Sequence, residues 1–137
     1  MTPIDQVYYA LLAVTDADTG VLDREKLVLA VSFNAVGWRI DESGKLLDDE
    51  PVSVSLSRLA HVLPSAETGY SDVYRNPYLI YETDDGERIF LWYENSQSIG
   101  EKMALAKCFG VRGVSVWRLG NIPDYSSYDV ADAFGLA

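Results

Sequence analysis

The stretch SIGEKMALAKCFGVRGVSVWRLG, residues 98–120, decides the fold class. Ser98 is a capping residue, and Glu101 three places on completes an S-x-x-E capping box. Ile99, Met103, Ala106 and Phe109 recur at helical spacing and share one face. Gly110 stands where a helix end favours a residue free to take positive φ. Residues 112–118 then read as a short valine-rich strand. Small Gly113 and Ser115 occupy one alternation, Val114 and Val116 the other, with Trp117 at the strand's end. A helix followed at once by such a strand is an αβ unit of a parallel sheet.

Working outward, residues 26–33 (KLVLAVSF) run almost without a polar break, the pattern of a strand buried on both faces. Residues 34–40 continue it less regularly through Gly37 and Trp38. Ahead of it, residues 3–17 predict a helix, with Pro3 suited to the first turn and Ile4, Val7, Tyr8, Leu11 and Leu12 at helical spacing. Residues 41–51 are acidic and glycine-bearing, hence a loop. Ser55 caps a short predicted helix with Leu56, Leu59, Ala60 and Leu63 on one face, stopped by Pro64. Residues 65–75 are polar and predicted irregular. PYLIYET and ERIFLWYE flank Asp84-Asp85-Gly86, the strongest hairpin signal in the chain. Residues 121–137 form a polar, tyrosine-bearing tail in which residues 130–136 predict one helical turn.

The composition narrows the partners. The 137 residues fit one domain, and 48% hydrophobic content is that of a globular protein. A net charge of −10 repels phosphate backbones and anionic lipid heads, which disfavours nucleic acid and membrane surfaces. No apolar run reaches the roughly 18 residues of a membrane-inserted helix, and the opening residues lack a secretory pattern. Cys108 is the single cysteine, which excludes an internal disulfide and a cysteine zinc site; it is expected to be a half-buried, inert thiol. His61 is the single histidine, with no nucleophile motif beside it. Asp48-Asp49-Glu50 lack the spacing of a calcium loop and read as solvated charge. No cofactor is implied.

Two candidate parallel strands cannot cover themselves, so the sheet reads as part of a larger one. Residues 26–38 (KLVLAVSFNAVGW) are similar to the seventh barrel strand of glycoside hydrolase family 18, commonly K-hydrophobic-x-L-G-x-P-x-Y-G-x-x-W. Pro77-Tyr78-Leu79-Ile80-Tyr81 and Trp92-Tyr93-Glu94 resemble the P-Y-x-x-Y and W-[YF]-[ED] elements of that family's insertion after this strand. Ser98 and Lys102 match the S-x-x-x-K of the following helix, and GVSVWRLG is similar to the eighth strand, which closes the barrel with a tryptophan. Within that family the chain resembles the bacterial, chitinase-like and spore-peptidoglycan-lytic enzymes.

The resemblance implies an α/β fold, the last part of a (β/α)8 TIM barrel with an inserted α+β hairpin subdomain. Residues 1–137 would form one partial barrel domain and residues 41–97 the insertion. A full barrel takes about 250 residues. The family's D-G-x-D-x-D-x-E signature and its M-x-Y-D element have no counterpart in the sequence, and the usual Gly and Pro of the seventh strand read Ala30 and Ser32. Family chemistry is substrate-assisted retention by a glutamate acid, so no catalytic residue is assigned here.

The substrate implied is an N-acetylglucosamine-containing β-1,4 glycan, chitin or peptidoglycan, at the cell exterior or envelope. By family match Trp117 forms the floor beneath the sugar, while Trp38, Tyr81 and Trp92 offer rings for stacking. The competing reading of Trp117 is a core tryptophan, and of the other three, aromatics packing the hairpin onto the barrel. Glu94 is read as a charge favoured near a helix N-terminus, and Glu82 and Glu87 as solvated. Self-association through unpaired strand edges is expected. Two alternatives stay open: a non-catalytic carbohydrate-binding or interaction module using the aromatic hairpin, and a small α+β domain with another partner.

Overall fold

The computed structural model describes residues 1–118; the tail turn predicted over residues 130–136 lies outside them. Helix α1 (Ile4–Val14) leads through a 3-10 turn (Arg24–Lys26) into strand β1 (Val28–Ser32). Strands β2 (Ala35–Ile40) and β3 (Val52–Val54), helix α2 (Leu56–Val62), and strands β4 (Glu67–Ser71), β5 (Asn76–Glu82) and β6 (Arg88–Trp92) follow. Helix α3 (Ser96–Cys108) and strand β7 (Gly113–Trp117) complete the mixed α/β fold.

The strands form two sheets. β1 and β7 pair in parallel, Val28 opposite Gly113 through Ser32 opposite Trp117, as the opening stretch requires. The other five strands make an antiparallel sheet in the order β3-β2-β6-β5-β4. The apolar run from Lys26 therefore does not continue as one strand. It breaks at Phe33–Asn34, and β2 pairs antiparallel with β3 and β6. Nor is β1 buried on both faces: Leu29 and Val31 pack with Val116 beneath α3, while Val28 is 55% exposed.

Three apolar clusters form a continuous core. Leu59 and Val62 of α2 pack on Ala35, Val54, Leu79, Leu91 and Tyr93 of the antiparallel sheet. Ile99 and Met103 of α3 cover Val31 and Phe33, and Val7 and Leu11 of α1 meet Ala106 and Val111. Leu56 packs against both the α2 and the α3 cluster, so the covered faces of the two sheets share one core. Both uncovered faces lie away from it.

Local chemistry explains the helix ends. Ser55 caps α2 by accepting from the Arg58 amide. For α3 the cap is Asn95 rather than Ser98: Asn95 accepts from the Ser98 amide, and the Ser98 hydroxyl accepts from the Asn95 amide. Ser98 is thus the third helical residue of the box. Gly110 takes a φ of 80° just past α3, the left-handed turn that glycine adopts without a Cβ clash. The free amide of Ile4 at the start of α1 donates to the Tyr74 carbonyl in the β4–β5 turn. Arg24 donates to the Thr15 and Val21 carbonyls beyond the other end of α1.

Candidate functional site

Two aromatic surfaces stand on the uncovered faces. In a parallel ladder, paired residues share a face, so Val28, Ala30 and Ser32 lie with Gly113, Ser115 and Trp117 opposite the α3 side. Trp117 closes β7 at its C-terminal end and is 64% exposed. The side chains around it on this face are small, and none of the six is an acid. Such a face can stack against a ligand ring, and its own six residues carry no carboxyl group.

The second surface is built by register. Trp38 lies opposite Phe90 and Phe90 opposite Ile80, while Val36 lies opposite Trp92 and Trp92 opposite Tyr78. These half-buried residues share the sheet face turned away from α2. Tyr78 stacks on Phe90 with ring centroids 5.3 Å apart, and Trp92 meets Tyr78, Phe90 and Tyr74 edge to face at 5.6, 5.1 and 5.8 Å. The Tyr78 ring lies over Gly69, where a Cβ would come within 2.4 Å of it. A glycine in the neighbouring strand thus lets the aromatic row lie flat.

The sequence-predicted residues divide across this sheet. Trp38 and Trp92 fall on the aromatic face. Tyr81 lies on the other: it pairs with Ile89, packs on the α2 core, and carries the Arg58 guanidinium 5.8 Å from its ring centre. Tyr78 and Phe90, unassigned from the sequence, belong with the two tryptophans. Period-two counting from Trp92 across the hairpin is the signal that reaches them.

The buried charges lie at the junction of the two sheets. Glu94, just after β6, is 3% exposed, and so is Lys102 on α3. The Lys102 ammonium sits 2.5 Å from the Glu94 carboxylate, and the Ser98 hydroxyl donates to the same carboxylate at 2.6 Å. Glu94 is therefore held in a buried ion pair, not only in the field of a helix end. Burial lowers the Lys102 amine from its ordinary value, and the Glu94 charge opposes that shift. Glu94, Lys102, Ser32 and Gln6 line one part of a groove of about 370 Å³ between α1 and β1; Val7, Leu11 and Val31 line its apolar part.

On the neighbouring flank Arg75 pairs with Glu101 at 2.8 Å. Tyr70 is pushed up to about 12 by burial and then by the Glu101 charge. Cys108 is exposed rather than half-buried, at the solvent side of the last turn of α3. His61 is exposed on α2.

A family model for glycosyl hydrolases family 18 matches residues 6–121. Over 50 residues the chain is 42% identical to di-N-acetylchitobiase of Mus musculus, covering 36% of this chain and 13% of the relative. It is 24% identical over 95 residues to the cortical fragment-lytic enzyme of Bacillus subtilis (strain 168), covering 69% of this chain and 22% of that one. The chain thus spans less than a quarter of these curated relatives. Its fold superposes on the spore cortex-lytic enzyme SleL of Bacillus megaterium QM B1551 with a TM-score of 0.69 at 20% identity, over 99% of this chain and 30% of that one.

Proposed function

Because this chain belongs to glycosyl hydrolases family 18, we propose that β1 and β7 are the last two strands of a (β/α)8 barrel and that β3–β6 with α2, entered through β2, are the subdomain inserted between them. Residues 1–137 then form one partial barrel domain, its insertion spanning about residues 41–97 with β2 as the lead-in strand. The groove beside β1 and that strand's free edge are where further barrel strands pack; in their absence the chain self-associates, which a monomeric mass by light scattering at high concentration would refute.

On this reading the polypeptide supplies part of the site of a glycosidase acting on N-acetylglucosamine-containing β-1,4 glycans, chitin or peptidoglycan. Trp117 is the floor beneath the sugar, and Trp38 and Trp92 are a flanking wall. Tyr81, turned to the α2 core, supports that wall. The general acid comes from outside these residues, so the chain by itself binds without hydrolysing. The observation that carries the reading is Trp117: a large ring at the C-terminal end of a parallel strand, where barrel active sites form, left open by small neighbours.

The test is calorimetric titration with chitohexaose. Trp117→Ala should weaken binding about tenfold or more, the value of one lost stacking platform, and unchanged affinity would refute the assignment. The second reading, a binding module that uses the hairpin alone, draws on the contiguous Tyr78, Phe90, Trp92 and Trp38 row. It predicts loss with Trp92→Ala and none with Trp117→Ala.

A further inference from the structure

The first two turns of α3 hold the antiparallel sheet at two separated points. At one, the chain leaving β6 turns Glu94 onto Ser98 and Lys102, all three side chains buried. The amide of buried Asn76 braces the same exit by donating to the Tyr93 carbonyl at 3.2 Å. At the other, Arg75 in the β4–β5 turn reaches Glu101 at 2.8 Å from a left-handed backbone with a φ of 53°. The same helix seats Ile99 and Met103 on β1 and Ala106 against α1. One rigid element therefore grips both sheets, and two grips on one body fix its tilt where a single grip leaves a rotation free.

The choice of a buried ion pair for the inner grip is informative. Replacing both members of such a pair by apolar side chains is often neutral for stability, so the pair is weak evidence of a stabilising role. Its short, charge-assisted hydrogen bonds do impose a direction that apolar packing does not.

We propose that Glu94 and Lys102 are positioning residues for glycan binding: together with Arg75 and Glu101 they set the angle between the aromatic sheet face and the Trp117 face, so that one extended saccharide meets both. The binding half of this inference rests on the glycan reading above; the angle-setting half does not.

The decisive variant is Glu94→Leu with Lys102→Met in the full chain. Both charges leave together, and the single Ser98 hydroxyl proton can turn from Glu94 to the Asn95 carbonyl, 3.1 Å away. The double variant should melt cooperatively within a few degrees of the wild type. Backbone amide residual dipolar couplings from Val28–Ser32 and Arg88–Trp92 should then no longer fit one alignment tensor. Chitohexaose affinity should fall about tenfold or more, the cost of misplacing contacts that must act together.

Arg75→Gln loosens the outer grip at a half-exposed site and should split the couplings in the same sense without touching the core. Couplings that still fit one tensor in both variants overturn the angle-setting role. A wild-type chain that ignores chitohexaose overturns the glycan reading and the binding half, while the couplings still decide the angle.

Discussion

The antiparallel sheet and the parallel pair solve the burial problem to different extents. Three of the four pairings in the antiparallel sheet join strands consecutive in sequence, and α2 seals one face with Leu59, Leu79 and Leu91 fully buried. The parallel pair is joined across the whole β2–α3 segment and is sealed on one face only, leaving Val28 and Trp117 open. Local pairing lets a short segment finish its own core; parallel pairing needs neighbours on both sides. The exposed tryptophan belongs to the unfinished region.

The largest effect is expected at the joint between the two. Lys102→Met alone removes the ammonium 2.5 Å from the buried Glu94 carboxylate and, as the break of one side of a buried ion pair, should cost about 3–5 kcal/mol in urea unfolding. Next, Leu59→Ala in the finished core should cost about 2–5 kcal/mol, whereas Val28→Ala on the open face should stay within about 0.5 kcal/mol. Equal losses at those two positions would erase the contrast.

The Asn95 cap decides how β6 passes into α3. Asn95→Ala should cost about 1 kcal/mol in the same assay, and a null result would show that the Ser98 side of the box holds the helix end alone. The smallest effect is in alkaline solution. The folded chain keeps the Tyr70 proton longer than the unfolded chain, so the stability this phenol lends is present below its ordinary value of 10 and is lost as pH rises toward about 12. Burial shifts Tyr93 in the same direction, and the lowered amine of Lys102 acts oppositely. The informative quantity is therefore the difference between wild type and Tyr70→Phe in melts from pH 9 to 11.5, which should narrow as the alkaline limb is climbed.

What could be read in the residues follows the same division. The αβ unit at Ser98–Trp117 and the hairpin around Gly86 carry their own punctuation, and both formed where periodicity put them. The break at Phe33–Asn34 has no glycine or proline to announce it, so a single apolar run became strands of two sheets. β3 and β4 are edge strands, and the polar sequence of β4 (ETGYS) becomes extended only because β5 pairs with it. Tertiary pairing overrides weak local preference there.

In the candidate site, the sequence offers Trp117, Trp38 and Trp92 for stacking or for packing alike, and the face that Tyr81 takes depends on alternation from a neighbour already placed. The Glu94–Lys102 pair hides in plain view: Glu94, Ser98 and Lys102 recur every fourth residue, the first just ahead of α3 and the other two on one line of that helix. What that spacing withholds is their burial, which β1 and the antiparallel sheet together impose.

That burial gives the molecule a built-in reporter. Lys26, Lys45 and Lys107 face solvent, whereas Lys102 is shut inside the joint. An amine-acylating reagent will mark the first three on the intact protein and reach the fourth only through an opening of the junction. The mass of a single peptide thus counts how often the two halves part.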